Sequence, residues 1–324
     1  MNFLAEAQTA RGRIAPFIRK TPLEYSAQLS AETGAEVFLK LENFQVTGSF
    51  KVRGALNALS ALSSEERKKG FVTASTGNHG AGLAHGAKAL GIPGTIVLPN
   101  GVSEAKLAGL KLSGLELIFH GEDSGESETY ARKLARERRN RYISPYNDLK
   151  VIAGQSTIGL EMTEDQPKGF DSVFVSVGGG GLISGIAGVL KSQFEKVHVV
   201  GCSPRNSCVM ATSVKEGRVT NGPSLPTLSD GTAGGVDEDA VTFPFCQKLV
   251  DEWCLVSEEE IAHAMRLIFD AHSMVIEGAA GVAVASFLKS AKRCRGERVA
   301  IVLCGGRVAR SVFAQTLIAS ESVC

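Results

Sequence analysis

Lys51 stands in the run Lys40-Leu41-Glu42-Asn43-Phe44-Gln45-Val46-Thr47-Gly48-Ser49-Phe50-Lys51-Val52-Arg53-Gly54-Ala55. Far along the chain the tetraglycine Gly178-Gly179-Gly180-Gly181 follows the apolar run Ser172 to Val177 and precedes a helix-period stretch, Leu182 to Leu190. A primary amine condenses with an aldehyde and, once free, acts as a base when its surroundings lower its pKa. Successive glycines let backbone amides approach an anion, and the helix that follows adds the partial positive charge of its N-terminus. The quartet with Leu182 therefore reads as a phosphate cradle, its rival being a tight turn with no ligand. Taken alone, Lys51 reads as a surface lysine. Together the two elements suit a phosphorylated aldehyde cofactor.

Other phosphate ligands fit less well. A dinucleotide loop reads G-x-G-x-x-G, but Ile183 and Ser184 stand where the last glycine should fall. The next strand, ending Val200-Gly201-Cys202-Ser203, lacks the acid that would hold a ribose. No Walker-type glycine–lysine loop occurs. A net charge of +1 over 324 residues argues against general attraction to nucleic acid or anionic membrane. Arg132, Lys133, Arg136, Arg138, Arg139 and Arg141 form one basic cluster, which reads as the solvated face of a helix. No apolar stretch approaches a membrane span, and Met1 to Glu6 lacks the apolar core of a signal segment. Seven cysteines with no C-x-x-C pair indicate reduced thiols and a cytoplasmic setting, not a disulfide or zinc framework.

The elements that must position these residues alternate. Strand-like apolar runs fall at Val37 to Leu41, Phe71 to Ala74, Thr95 to Leu98, Leu115 to Phe119, Ser172 to Val177, Val197 to Cys202, Cys254 to Val256 and Val299 to Cys304. Helix-period stretches such as Asn78 to Leu90, Glu104 to Leu112 and Ser127 to Arg138 lie between them. The pattern predicts an α/β protein with open, twisted, mostly parallel sheets and helices on both faces. Residues 70–146 form a self-contained set of strand–helix units, a small domain inserted between residues 1–69 and 147–324 of a larger one. Ligands in such sheets bind beyond the strand C-termini, so the cleft between the domains is the expected site.

Lys40 to Ala55, Ala74-Ser75-Thr76-Gly77-Asn78-His79-Gly80, Val151 to Gln155, Val177 to Gly181, Asp230-Gly231, Ile276 to Gly281 and Leu303-Cys304-Gly305-Gly306 occur in this order. On these motifs nearly the whole chain resembles the threonine dehydratase and serine racemase family of fold-type-II (tryptophan-synthase-like) pyridoxal 5'-phosphate enzymes. The resemblance implies that Lys51 is the Schiff-base lysine, that Phe50 flanks the cofactor ring and that Asn78 bonds its 3-hydroxyl oxygen. It puts the phosphate on Gly178 to Gly181 at the start of the Leu182 helix, Cys304 opposite the pyridine nitrogen and Glu277 near the ring. Ser75, Thr76, Asn78 and His79 would hold the substrate carboxylate, and Asp230 would lie near the β-substituent. The bland readings are a helix cap for residues 75–79 and a plain turn for Asp230.

The activity implied is elimination from a β-hydroxy-α-amino acid, of the serine, threonine, 3-hydroxyaspartate or 3-phenylserine type, to a 2-oxo acid and ammonia, by a homodimer. Racemisation of the serine racemase kind, β-replacement of the cysteine synthase kind and non-catalytic cofactor carriage are the alternatives. Several positions depart from the family pattern. Thr76 replaces a serine and is stiffer, which argues against efficient racemisation. Cys304 replaces a serine; a neutral thiol cannot hold a pyridinium as a carboxylate would, which favours elimination over transamination. Ser203-Pro204-Arg205-Asn206-Ser207-Cys208-Val209 lacks the carboxylates of the family's cation site, so no metal is expected. Arg307 replaces an Asn, and Glu128 reads as a helix-surface acid. The chain ends soon after its last helix, which favours a catabolic or specialised enzyme over a feedback-regulated one.

Overall fold

A computed structural model describes residues 1–102 and 104–318. Among the described residues ten strands form two sheets. The larger has six strands in the order β1 (Leu23–Tyr25), β2 (Glu36–Lys40), β10 (Arg298–Val302), β7 (Ser172–Ser176), β8 (His198–Pro204) and β9 (Glu252–Val256). The smaller has the order β5 (Glu116–Phe119), β4 (Gly94–Leu98), β3 (Phe71–Ala74) and β6 (Arg141–Tyr142). All pairings are parallel except that of the edge strand β1 with β2.

β7 is buried along its whole length between β10 and β8, which explains its unbroken apolar run rather than an alternating one. Ile183, Ile186 and Leu190 of helix Gly181–Gln193, with Val282, Val284 and Phe287 of helix Gly278–Ser290, pack into the core built around this sheet. In the smaller sheet alternation is visible. Ile96 and Leu98 pack with Leu107 and Leu110, while the intervening Val97 packs with Ala131 and Leu134 on the other side.

β3 and helix Asn78–Leu90 have the bounds the sequence predicts. β10 stops at Val302, short of Cys304, because the ladder passes to a loop: Leu303 N–H bonds Lys40 O at 2.9 Å and Phe50 N–H bonds Cys304 O at 3.1 Å. The helix expected from Ser127 starts at Ser124, where the Asp123 side chain caps it by accepting from Glu126 N–H. β1 and β6, of three and two residues, are too short to carry a pattern. Among the described residues no helix is long and apolar enough to cross a membrane.

Candidate active site

Parallel pairing puts the C-terminal ends of β2, β10 and β7 side by side on one edge of the larger sheet. The loop to Lys51 leaves β2, Leu303-Cys304 leaves β10 and the glycine quartet leaves β7. The first two loops are joined. Ser49 pairs with Gly305 in an antiparallel bridge, and Gly306 N–H bonds Gly48 O at 2.9 Å. Lys51 then opens helix Lys51–Ser60.

Lys51 is half-buried, its amine reaching Pro145 O at 3.0 Å and lying 5.2 Å from the centre of the Phe50 ring. Burial pushes this amine down to about 8, with Cys304 and Glu277 pulling weakly the other way. A lysine near 8 is partly neutral at physiological pH, as a nucleophile or general base must be. Cys304 is buried, and burial with the nearby Glu277 holds its thiol well above the ordinary range, so it stays protonated.

The quartet joins β7 to helix Gly181–Gln193. Gly180 has φ +83°, the left-handed region, and gives that helix no side-chain cap. A Cβ at Gly179 would sit 2.3 Å from the Tyr146 ring, and one at Gly178 would sit 2.8 Å from Thr232 O. Thr242 Oγ1 donates to Gly179 O at 2.6 Å. The loop is thus clamped from behind, with room for backbone only, and leads into a helix whose first amides lack a capping side chain. These features fit a phosphate group.

Helices beginning at Lys51, Asn78 and Gly278 share this lack of a side-chain cap. Those beginning at Phe3, Ala27, Ser64, Ser124, Leu149 and Glu258 are capped by Asn2, Ser26, Ser63, Asp123, Asp148 and Ser257. Ser75, Thr76, Gly77 and Asn78 are half-buried in the turn after β3, across from the larger sheet. Thr76 and Gly77 line a cavity of about 270 Å³ that also touches Thr47, His85, Lys88 and Arg307. Asn78 Nδ2 donates to Glu277, 2.9 Å from each carboxylate oxygen. Glu277 is buried, and burial lifts its carboxyl to about 7. Exposed Asp230 is close enough to Glu277 to add to that rise. The His79 imidazole instead turns inward, Nε2 lying 3.1 Å from Ile143 O, so this turn offers a ligand His79's backbone rather than its ring.

Several contributors escaped the sequence reading. Pro145 and Tyr146, beside Lys51 and the quartet, follow the two-residue β6. Their signal was the turn-like Ser144-Pro145-Tyr146-Asn147-Asp148. Behind Lys51, fully buried Arg53 bonds both oxygens of Glu42, each at 2.8 Å, and of Glu161, at 2.6 and 2.9 Å. Lys40 Nζ adds a 2.6 Å bond to Glu161. Two cations and two anions thereby tie β2, helix Lys51–Ser60 and helix Leu149–Asp165 together. Exposed Lys133, Arg136, Arg138 and Arg139 fit the solvated face, but Arg132 does not. It is half-buried over the Tyr142 ring and bonds Asp237 at 2.7 Å and Glu128 at 2.8 Å. Glu128, expected as a surface acid, is half-buried and also accepts from Tyr142 OH at 2.9 Å.

An amine of lowered pKa and a clamped glycine loop on one sheet edge fit a phosphorylated aldehyde cofactor, and residues 14–305 match the family model described as pyridoxal-phosphate dependent enzyme. The chain belongs to that family. It is 41% identical to an L-threonine ammonia-lyase of Thermotoga maritima, over 94% of this chain and 75% of that protein. Processed threonine deaminase isoform 2 of Solanum lycopersicum superposes with a TM-score of 0.90 at 31% identity, covering 97% of this chain and 91% of that one. Maize serine racemase gives 0.89 at 30%, covering 98% and 97%.

Proposed function

We propose that the enzyme eliminates water from a β-hydroxy-α-amino acid, of the serine, threonine, 3-hydroxyaspartate or 3-phenylserine type, giving a 2-oxo acid and ammonia. The observation that carries this reading is the Lys51 amine, brought to about 8 between Phe50, Cys304 and the Pro145 carbonyl. The threonine ammonia-lyase and threonine deaminase among its relatives support the reaction class.

Bound pyridoxal phosphate supplies an aldehyde for the substrate amine and a sink for the electron pair left at Cα. Gly178 to Gly181 and the amides opening helix Gly181–Gln193 would hold its phosphate, Phe50 would pack on its ring and Asn78 would bond its 3-hydroxyl oxygen. Ser75, Thr76 and the backbone at Asn78 and His79 orient the substrate carboxylate at the N-terminus of helix Asn78–Leu90. Lys51 Nζ removes the Cα proton and returns a proton to the departing β-hydroxyl. Cys304 keeps its thiol proton; toward the ring nitrogen it would offer only a weak neutral bond, which would favour β-elimination. Thr76 Oγ1 is the hydroxyl available for proton return to the other face of Cα, the step racemisation needs. We place Asp230 beside the β-substituent. We also read residues 70–146 as a small domain inserted in the remainder, and the enzyme as a cytoplasmic homodimer.

A panel of β-hydroxy amino acids, with ammonia and 2-oxo acid measured for each, tests the reaction. Lys51→Ala should lose the visible absorbance of bound cofactor and turnover together. Ammonia release that survives Lys51→Ala, or product formation only when sulfide is added, would count against elimination by this lysine.

A further inference from the structure

Glu277 occupies the N-cap position of helix Gly278–Ser290, yet its carboxyl makes no capping bond to that helix. It crosses to the first residue of another helix, Asn78, whose Nδ2 lies 2.9 Å from both carboxylate oxygens. Arg307 N–H adds a 3.2 Å bond to Oε2. Gly305 closes the other side, where a Cβ would come within 2.6 Å of Oε1. Both oxygens of this carboxyl face the Asn78 amide, and Oε2 also accepts from the Arg307 backbone.

An amide nitrogen has two hydrogens and its oxygen only accepts. While Glu277 is ionised, both of its oxygens draw on that nitrogen, leaving Asn78 chiefly its acceptor oxygen for anything else. A protonated, neutral Glu277 needs one amide hydrogen at most. We propose that Glu277 is a proton-linked positioning residue: it takes up a proton when an anionic ring oxygen docks at Asn78, releasing one amide N–H to bind that oxygen. This rests on the cofactor reading above, in which Asn78 meets the 3-hydroxyl oxygen of pyridoxal phosphate. One negative charge arrives, one proton follows it, and the enclosed region keeps its net charge.

The charged and titratable groups around the carboxyl are consistent with this role. Asp230 pushes its pKa up and Arg307 pulls it down, while Lys51 and Cys304 face it across the site. Titrating near 7 before any ligand arrives, the group is mostly ionised at pH 8, and a second anion beside it there raises its affinity for a proton.

The test is calorimetry of pyridoxal phosphate binding to apoprotein at pH 8, repeated in buffers of different ionisation enthalpy to count protons. Protons exchanged by Lys51 and by the phosphate are largely common to wild type and Glu277→Gln, so their difference reports Glu277. Proton uptake by wild type should exceed that of Glu277→Gln by at least about half a proton per site, and the difference should vanish by about pH 6, where the carboxyl is already protonated. Arg307→Asn keeps the backbone N–H but removes the cation, so it should move the uptake profile to higher pH. This substitution decides the matter if Glu277→Gln does not fold. Equal uptake with normal binding, or an unmoved profile in Arg307→Asn, would overturn the proposal alone. No binding in wild type would sink the cofactor reading and this inference with it.

Discussion

His79 sits in the first turn of helix Asn78–Leu90 with its imidazole buried and Nε2 3.1 Å from Ile143 O. A carbonyl only accepts, so Nε2 carries the hydrogen; Nδ1 has no hydrogen-bond partner among the described residues. Burial first, then the charge of Lys51, push this histidine down to about 3, against the opposing Ile143 bond. Above pH 6.5 the folded and unfolded forms are both neutral there and His79 contributes nothing to pH dependence. Below 6.5 the unfolded chain gains a proton that the folded protein refuses until near 3. Stability therefore falls with pH across that window, by up to about 1.4 kcal/mol per unit from this group. Glutamine keeps an N–H for Ile143 and cannot titrate, so urea denaturation of His79→Gln at about pH 4 to 7 should give a shallower acid slope than wild type. Parallel slopes would show that His79 is already protonated in the fold. At this scale the sequence was informative about which residues gather and silent about where they point. Type and spacing drew attention to Lys51 and the quartet, and the structure brings their loops to one edge of the larger sheet. The inward turn of His79 and the Asn78–Glu277 bond, which joins residues 199 apart in sequence, were not legible from type and spacing.

At the scale of elements, Lys51 is placed by a helix crossing. Helix Lys51–Ser60 lies so close to helix Leu149–Asp165 that a Cβ on Gly154 would sit 2.4 Å from Arg53 O and 2.5 Å from Gly54 Cα. Gly54 N–H also donates to Gln155 Oε1 at 3.1 Å. The lysine helix cannot back away, because Arg53 is pinned by Glu42 and Glu161. Gly154→Ala should cost about 1–3 kcal/mol, as overpacked cores do, and should weaken the visible absorbance of bound cofactor by shifting Lys51. Gly12, in helix Phe3–Ile14, has nothing within 4 Å of its Cβ position. Its change to Ala should be neutral or gain up to about 1 kcal/mol from helix propensity. Thermal melts of the two variants should therefore move apart, and similar melts would show that the crossing has slack. The contrast marks what periodicity can convey. It finds a helix and its buried side, as with Asn78–Leu90, but Gly12 and Gly154 look alike until the neighbouring helix is in place. β6 was likewise hidden, since two residues acquire strand geometry only by pairing with β3.

Across the whole molecule, Phe71 of the smaller sheet packs with Ala55, Ala58 and Leu59 of helix Lys51–Ser60 and with Val151 of helix Leu149–Asp165, and polar ties run from the smaller sheet's side toward the glycine quartet. Arg132, on helix Ser124–Arg138 beside the smaller sheet, bonds Asp237 at 2.7 Å. Asn147 Nδ2 donates to Asp237 at 2.9 Å and to Asp239 at 3.1 Å, while Asp237 N–H donates to Tyr146 OH at 2.8 Å. Because the Tyr146 ring backs Gly179, the same loop ties the smaller sheet to the quartet. Asp237→Ala removes the acceptor for Arg132 and Asn147 but leaves the backbone bond to Tyr146. The Arg132–Asp237 pair is half-buried and Arg132 retains Glu128 and the Tyr142 ring, so the global cost should be small, about 0.5–1 kcal/mol. The local effect should be larger, since removing a tie between two packed units raises the frequency of partial opening more than that of complete unfolding. Hydrogen exchange should accelerate in helix Ser124–Arg138 and β6, with β7 and β10 unchanged. Uniform acceleration across both sheets would instead make Asp237 a support of the whole fold, and unchanged exchange throughout would mean that Arg132 holds the helix through Glu128 and Tyr142 alone.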